Sequence, residues 1–124
     1  MHYEDPHELL ERFDELGEQL PFLITTRRMM GGYMGYADGK VFVSISRGGL
    51  GVKLGAELYT RALERPGARR LRHAEGQPES KTYVRFSDDD LDDDDFMVEW
   101  LTLAARLAQS APQARKRSTS RDKD

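Results

Sequence analysis

The chain has no cysteine, so a disulfide framework, a thiolate nucleophile and a Cys-ligated metal are all excluded. It also has no apolar run approaching the roughly 20 residues that a membrane-spanning helix requires. The opening Met-His-Tyr-Glu-Asp-Pro lacks the basic-then-apolar pattern of a secretory signal, and a cytoplasmic location is the expectation. A uniform excess of positive charge is missing as well. Nineteen Lys and Arg stand against 22 Asp and Glu, a net charge of −3 over 124 residues. That balance argues against a generally basic nucleic-acid binder, whose affinity comes from neutralising phosphates. The average hides segregation. Residues 115–124 hold five basic and two acidic residues, a local +3, which leaves −6 on residues 1–114. Seven Asp fill eight positions over 88–95, whereas 61–73 carries five Arg and one Glu.

One domain over residues 1–110 fits this length, followed by a polar, basic tail over 111–124 that is expected to be disordered. Asp5-Pro6-His7-Glu8 reads as a capped helix start, and Leu9, Phe13, Leu16 and Leu20 form one apolar stripe. The helix is predicted to end just after Gly17. Strands are then predicted over Phe22–Thr26, Tyr33–Tyr36, Val41–Ser46 and Leu50–Leu54, with Asp38-Gly39 as a hairpin turn. Val41, Val43 and Ile45 alternate with Phe42, Ser44 and Ser46, so Phe42 is expected on the less buried face. Helical period returns over 56–65. Residues 68–80 read as loop, Lys81–Phe86 as the last strand, and Phe96, Trp100, Leu103 and Leu107 mark a closing helix. The fold class that follows is α+β: two layers, with helices on one face of an antiparallel sheet of four to five strands.

Candidate chemistry is sparse. Asp88, Asp90, Asp92 and Glu99 match positions of a calcium loop, but Asp93 stands where that loop needs glycine, and a strand precedes it rather than a helix. The run reads better as a solvated helix start, where the positive end of the helix dipole favours acids by about 0.3–1 kcal/mol each. His2, His7 and His73 have no ligand spacing and no evident nucleophile or acid partner. The glycine clusters at 31–35 and 48–51 lie between predicted strands and read as bends or close approaches. No cofactor is implied. Arg61, Arg65, Arg69, Arg70 and Arg72 form an anionic-partner patch or a counterpart to the Asp run. Arg27-Arg28-Met29-Met30-Gly31-Gly32-Tyr33-Met34-Gly35-Tyr36 is the most unusual stretch, either a bent strand filling the core or an adaptable binding surface.

The same stretch, with Tyr36-Ala37-Asp38-Gly39-Lys40-Val41-Phe42 and Leu50-Gly51-Val52-Lys53-Leu54, resembles the N-terminal domain of the TfoX/Sxy family. Tyr83-Val84-Arg85-Phe86, the acidic connection and the Trp-containing closing helix extend the resemblance from Asp5 to Ser110. Met30 departs from the usual Phe, and Gly51 from a frequent Tyr. The resemblance implies a bacterial, cytoplasmic α+β domain associated with transcription of competence genes. It implies a stand-alone N-terminal domain too, since about fourteen residues follow Ser110 where full-length members add a helical DNA-associated domain. It transfers no catalytic residues.

The leading expectation is therefore a non-enzymatic regulatory module that binds a protein partner, such as a transcription regulator or a second copy of itself. Arg27, Arg28, Met29, Gly31, Gly32, Tyr33 and Lys53 are its candidate surface. An alternative is nucleic-acid contact through Arg61, Arg65, Arg69, Arg70 and Arg72 together with Arg115, Lys116 and Arg117 of the tail. A small-ligand site or enzyme would require Arg28, Tyr33 and Lys53 to converge in one pocket.

Overall fold

In a computed structural model, residues 5–73 and 76–110 are described. Asp5 caps the first helix as expected: its carboxylate accepts from the amides of His7 (2.8 Å) and Glu8 (3.1 Å), with Pro6 at the first helical position. Helix α1 runs Pro6–Gly17 and buries Leu9, Phe13 and Leu16. Four strands follow as a meander, β1 Ile24–Met29, β2 Gly32–Ala37, β3 Lys40–Ser46 and β4 Gly49–Lys53. Then come α2 Ala56–Leu63, β5 Arg69–Arg70, β6 Tyr83–Arg85, the short α3 Asp88–Leu91 and α4 Asp94–Ser110.

The sheet has six strands in the order β1-β2-β3-β4-β6-β5, every neighbouring pair antiparallel. Residues from α1, α2 and α4 share one core with Val43, Ile45, Leu50, Val52 and Val84 of the sheet. The architecture is thus the two-layer α+β class, with one strand more than expected. The extra strand is β5, inside the stretch that reads as loop from its polar composition. Two arginines form it because backbone pairing at a sheet edge needs no apolar side chain.

Two other expectations change for physical reasons. Strand β1 starts later than Phe22 and runs on to Met29, because Leu23 is tied to Asp38 through both its amide and its carbonyl before pairing with β2 begins. Its residues from Thr25 to Met29 are exposed, so no alternation of burial marks it. Phe42, expected on the less buried face, is instead fully buried against Phe13, with ring centroids 5.8 Å apart. The register of β2 against β3 shifts at Gly35/Tyr36, leaving Phe42 without a cross-strand partner; the bulge turns its ring into the helix layer. The Asp38-Gly39 turn forms as read, both residues having positive φ.

The acidic run starts helices. Ser87 caps α3 by accepting from the Asp90 amide, and Asp93 accepts from the Phe96 amide at the head of α4. Asp94 is held from α1: Arg12 donates to its carboxylate at 2.7 Å and to the Leu91 carbonyl at 2.9 Å, and Gln19 donates to it at 3.1 Å. The bond from Arg12, then that from Gln19, lowers the Asp94 carboxyl below its ordinary range. A lowered carboxyl supports the fold above its unfolded-state pKa and loses that contribution as pH falls through its folded-state value. Arg12→Met is expected to cost about 1–3 kcal/mol near neutral pH, since the Leu91 carbonyl loses its charged donor. Urea unfolding should show the gap between wild type and variant narrowing below about pH 4.

Candidate functional site

The helices leave the opposite face of the sheet to be finished by other means. After β5 the chain turns back across it. Leu71 donates its amide to the Tyr83 carbonyl, and the amide of Ser80 returns to the Leu71 carbonyl at 2.7 Å. The Leu71 side chain is fully buried in the gap above Gly51, where a Cβ would stand 2.6 Å from its Cδ2. Any larger residue at Gly51 would evict it. Farther along, the His73 ring meets Tyr83 edge-on and places Nδ1 3.4 Å from the Oγ of buried Ser44. Tyr59 pins the far end of the strap by donating to the Ser80 carbonyl at 2.6 Å. Burial, and to a smaller extent the charge of Tyr36, pushes the Tyr83 hydroxyl up to about 12.

His73 is an exposed residue of this strap, as a surface histidine would be, and its ring reaches Ser44 as well. Sequence gives no sign of the pairing, because Ser44 and His73 meet only once β6 and β4 are placed between β5 and β3. The pair does not form a nucleophilic dyad: Ser44 is 2 % exposed, and no carboxylate among the described residues orients the imidazole.

The strap and the β1–β2 hairpin frame two adjoining depressions. The first, about 470 Å³, is apolar and lies between the hairpin tip and the strap, lined by Met29, Met30, Met34, Ser44, His73 and Gln77. Six of the seven candidate partner-binding residues gather at this hairpin. Arg27, Arg28 and Met29 stand opposite Met34, Tyr33 and Gly32 in the register, with Gly31 in the turn at φ 82°. Gly32 is required by close packing: a Cβ there would lie 2.0 Å from the Ile45 carbonyl oxygen on β3. Tyr33 packs against the core, whereas Met29 and Met30 do not fill it; they are 46 % and 104 % exposed.

Lys53 does not join them. It pairs with Tyr83 at the other end of β4, beside Lys40 and Thr82. Register puts Arg28 and Tyr33 on the face opposite Lys53, so these residues do not converge on one pocket.

The second depression, about 510 Å³, is lined by Arg47, Arg69, Arg70, Arg72 and Arg85, with Glu79 as its one acid. It divides the arginine segment that the sequence presents as a unit. Arg69, Arg70 and Arg72 line the cleft, Arg70 at its rim with its guanidinium over Tyr59. Arg65 instead grips buried Asp90 through two bonds, at 2.7 and 3.2 Å, and lies over the Phe96 ring, which realises the self-paired reading for this residue. Arg61 is exposed on α2 outside the cleft. The bond to Asp90 raises the Arg65 pKa further. Arg47 and Arg85 are the members that sequence reasoning missed. The tail residues Arg115, Lys116 and Arg117 lie outside the described residues.

Comparison with known proteins gives one match: a family model described as the TfoX N-terminal domain covers residues 9–108. No curated protein and no solved structure matches the chain. Within that match, Gly32→Ala is expected to lower stability by about 1–3 kcal/mol or more, because β2 must move off β3 to admit a methyl group. The midpoint of urea unfolding measures this; a variant as stable as wild type would show that the two strands are not packed this tightly.

Proposed function

Because the chain belongs to the TfoX N-terminal domain family, we propose that it is a non-enzymatic regulatory module that acts by binding a protein partner. In its finer form the proposal assigns that regulation to transcription of competence genes in a bacterial cytoplasm, with a transcription regulator as the partner. No helix among the described residues is long and apolar enough to cross a membrane.

One observation carries the binding part: the hairpin tip holds Met29 and Met30 out in water, beside an apolar groove. Methionine is flexible and polarizable, which suits a surface that must mould itself to another chain. The strand leading to the tip supports the same reading. β1 is an outermost strand of the sheet, and the backbone groups of Ile24–Met29 on its free side offer a template for an added strand. Arg27 and Arg28 on that strand guard it by charge and favour an acidic partner. A second copy of the chain on this edge would bring the same two arginines to the shared interface, so an acidic partner of different sequence fits better than a homodimer.

Capture from a native lysate tests the proposal. The wild-type chain is expected to retain a partner that Met30→Glu loses by about tenfold or more. The variant should melt at the wild-type temperature, because Met30 buries no surface. Equal recovery by both chains would remove the hairpin tip from the binding surface.

A further inference from the structure

We propose that the arginine cleft on the outer face of the sheet is a binding site for multiply charged phosphates, recognised through their diphosphate group. The cleft draws its cations from separate places: Arg47 from the β3–β4 turn, Arg69 and Arg70 from β5, Arg72 from the strap and Arg85 from β6. Arg70 pairs with core-facing Val84 and lies over Tyr59 of α2, so it lines the rim, and the other four arginines surround one depression of about 510 Å³ whose one lining acid is Glu79, 3.5 Å from Arg72. Two arginines outside the cleft are answered closely, Arg65 by Asp90 and Arg12 by Asp94.

Inside the cleft the remaining contacts orient the side chains without neutralising them. Arg85 donates to the Gly48 carbonyl at 3.1 Å, Arg72 to the Gln77 carbonyl, and Arg70 lies 6.0 Å from the Tyr59 ring centroid. The side chains of Arg47 and Arg69 have neither a hydrogen bond nor an ion pair among the described residues. Glu79 at Arg72 and the nearby Asp88 and Asp89 offset part of the mutual repulsion of these cations, and a bound anion would offset more.

The number of cations and the nature of the walls select the ligand. A carboxylate is satisfied by one or two guanidinium forks, and a single phosphate leaves part of this ring unanswered. A diphosphate spreads several charges over a length that the cleft accommodates. No aromatic or large apolar side chain lines the walls, so nothing there would stack on a nucleobase. The phosphates therefore carry the affinity, and inorganic pyrophosphate and a nucleoside triphosphate should bind about equally. A nucleic-acid duplex fits less well. Asp88 and Asp89 border the same arginines on the Arg69–Arg85 side, and they would meet a phosphate backbone running past the cleft.

Isothermal titration of the full chain at low ionic strength tests this with inorganic pyrophosphate, orthophosphate, a nucleoside triphosphate and a short DNA duplex as probes. Pyrophosphate and the triphosphate are each expected to bind about tenfold or more tightly than orthophosphate, with affinity falling as salt rises. The double variant Arg47→Gln/Arg69→Gln should weaken both by about tenfold or more and keep its melting temperature, since neither side chain has an internal partner. Three results would overturn the proposal: pyrophosphate binding no tighter than orthophosphate, unchanged binding by the variant, or a duplex that outcompetes pyrophosphate.

Discussion

Leu71 is the buried apolar side chain, among the described residues, that stands outside the helix-side core, and it fills the space that Gly51 leaves on the outer surface of β4. Burying a leucine contributes about 1.5–3 kcal/mol, enough to hold a polar segment against a sheet that has no second helix layer. Much of the outer face depends on this contact. With Leu71 seated, Arg72 reaches the cleft edge and His73 reaches Ser44. Without it, residues 71–73 would have no apolar reason to cross the strands, and the arginines of β5 would lack their neighbour from the strap.

Glycine at position 51 thins the sheet surface, and the chain fills the gap from a distant segment. An aromatic ring on β4 and a leucine delivered by the strap cannot occupy one volume. The outer face therefore combines two surfaces with different chemistry. A methionine-lined groove lies at the hairpin, a ring of guanidiniums lies beside it, and Arg47 borders both.

Much of the helix layer is legible in the sequence because its signals are local. Asp5-Pro6 starts α1, the spacing of Phe96, Trp100, Leu103 and Leu107 marks α4, and Asp38-Gly39 fixes the central hairpin. What escapes is set by contacts between distant segments. Periodicity assigns Phe42 to the wrong face because one unpaired residue shifts the register of β3, and nothing near Phe42 announces that bulge. β5 is hidden because it consists of two arginines that pair only through the backbone. The candidate site divides in the same way. The hairpin residues are consecutive, so they are found together, and Lys53 is grouped with them only by family pattern. The cleft needs β6 placed between β4 and β5, an order that leaves Arg47 and Arg85 invisible as members until the topology is known.

Native-state hydrogen exchange on a Leu71→Ala variant tests most directly whether this one contact holds the outer face. The account predicts that the amides of Leu71 and Ser80, which bond across the strap, exchange at least about tenfold faster than in the wild type. The amides pairing β2 with β3 should keep their protection. Unchanged exchange at Ser80 would contradict the claim, as would a loss of protection spread evenly through the sheet.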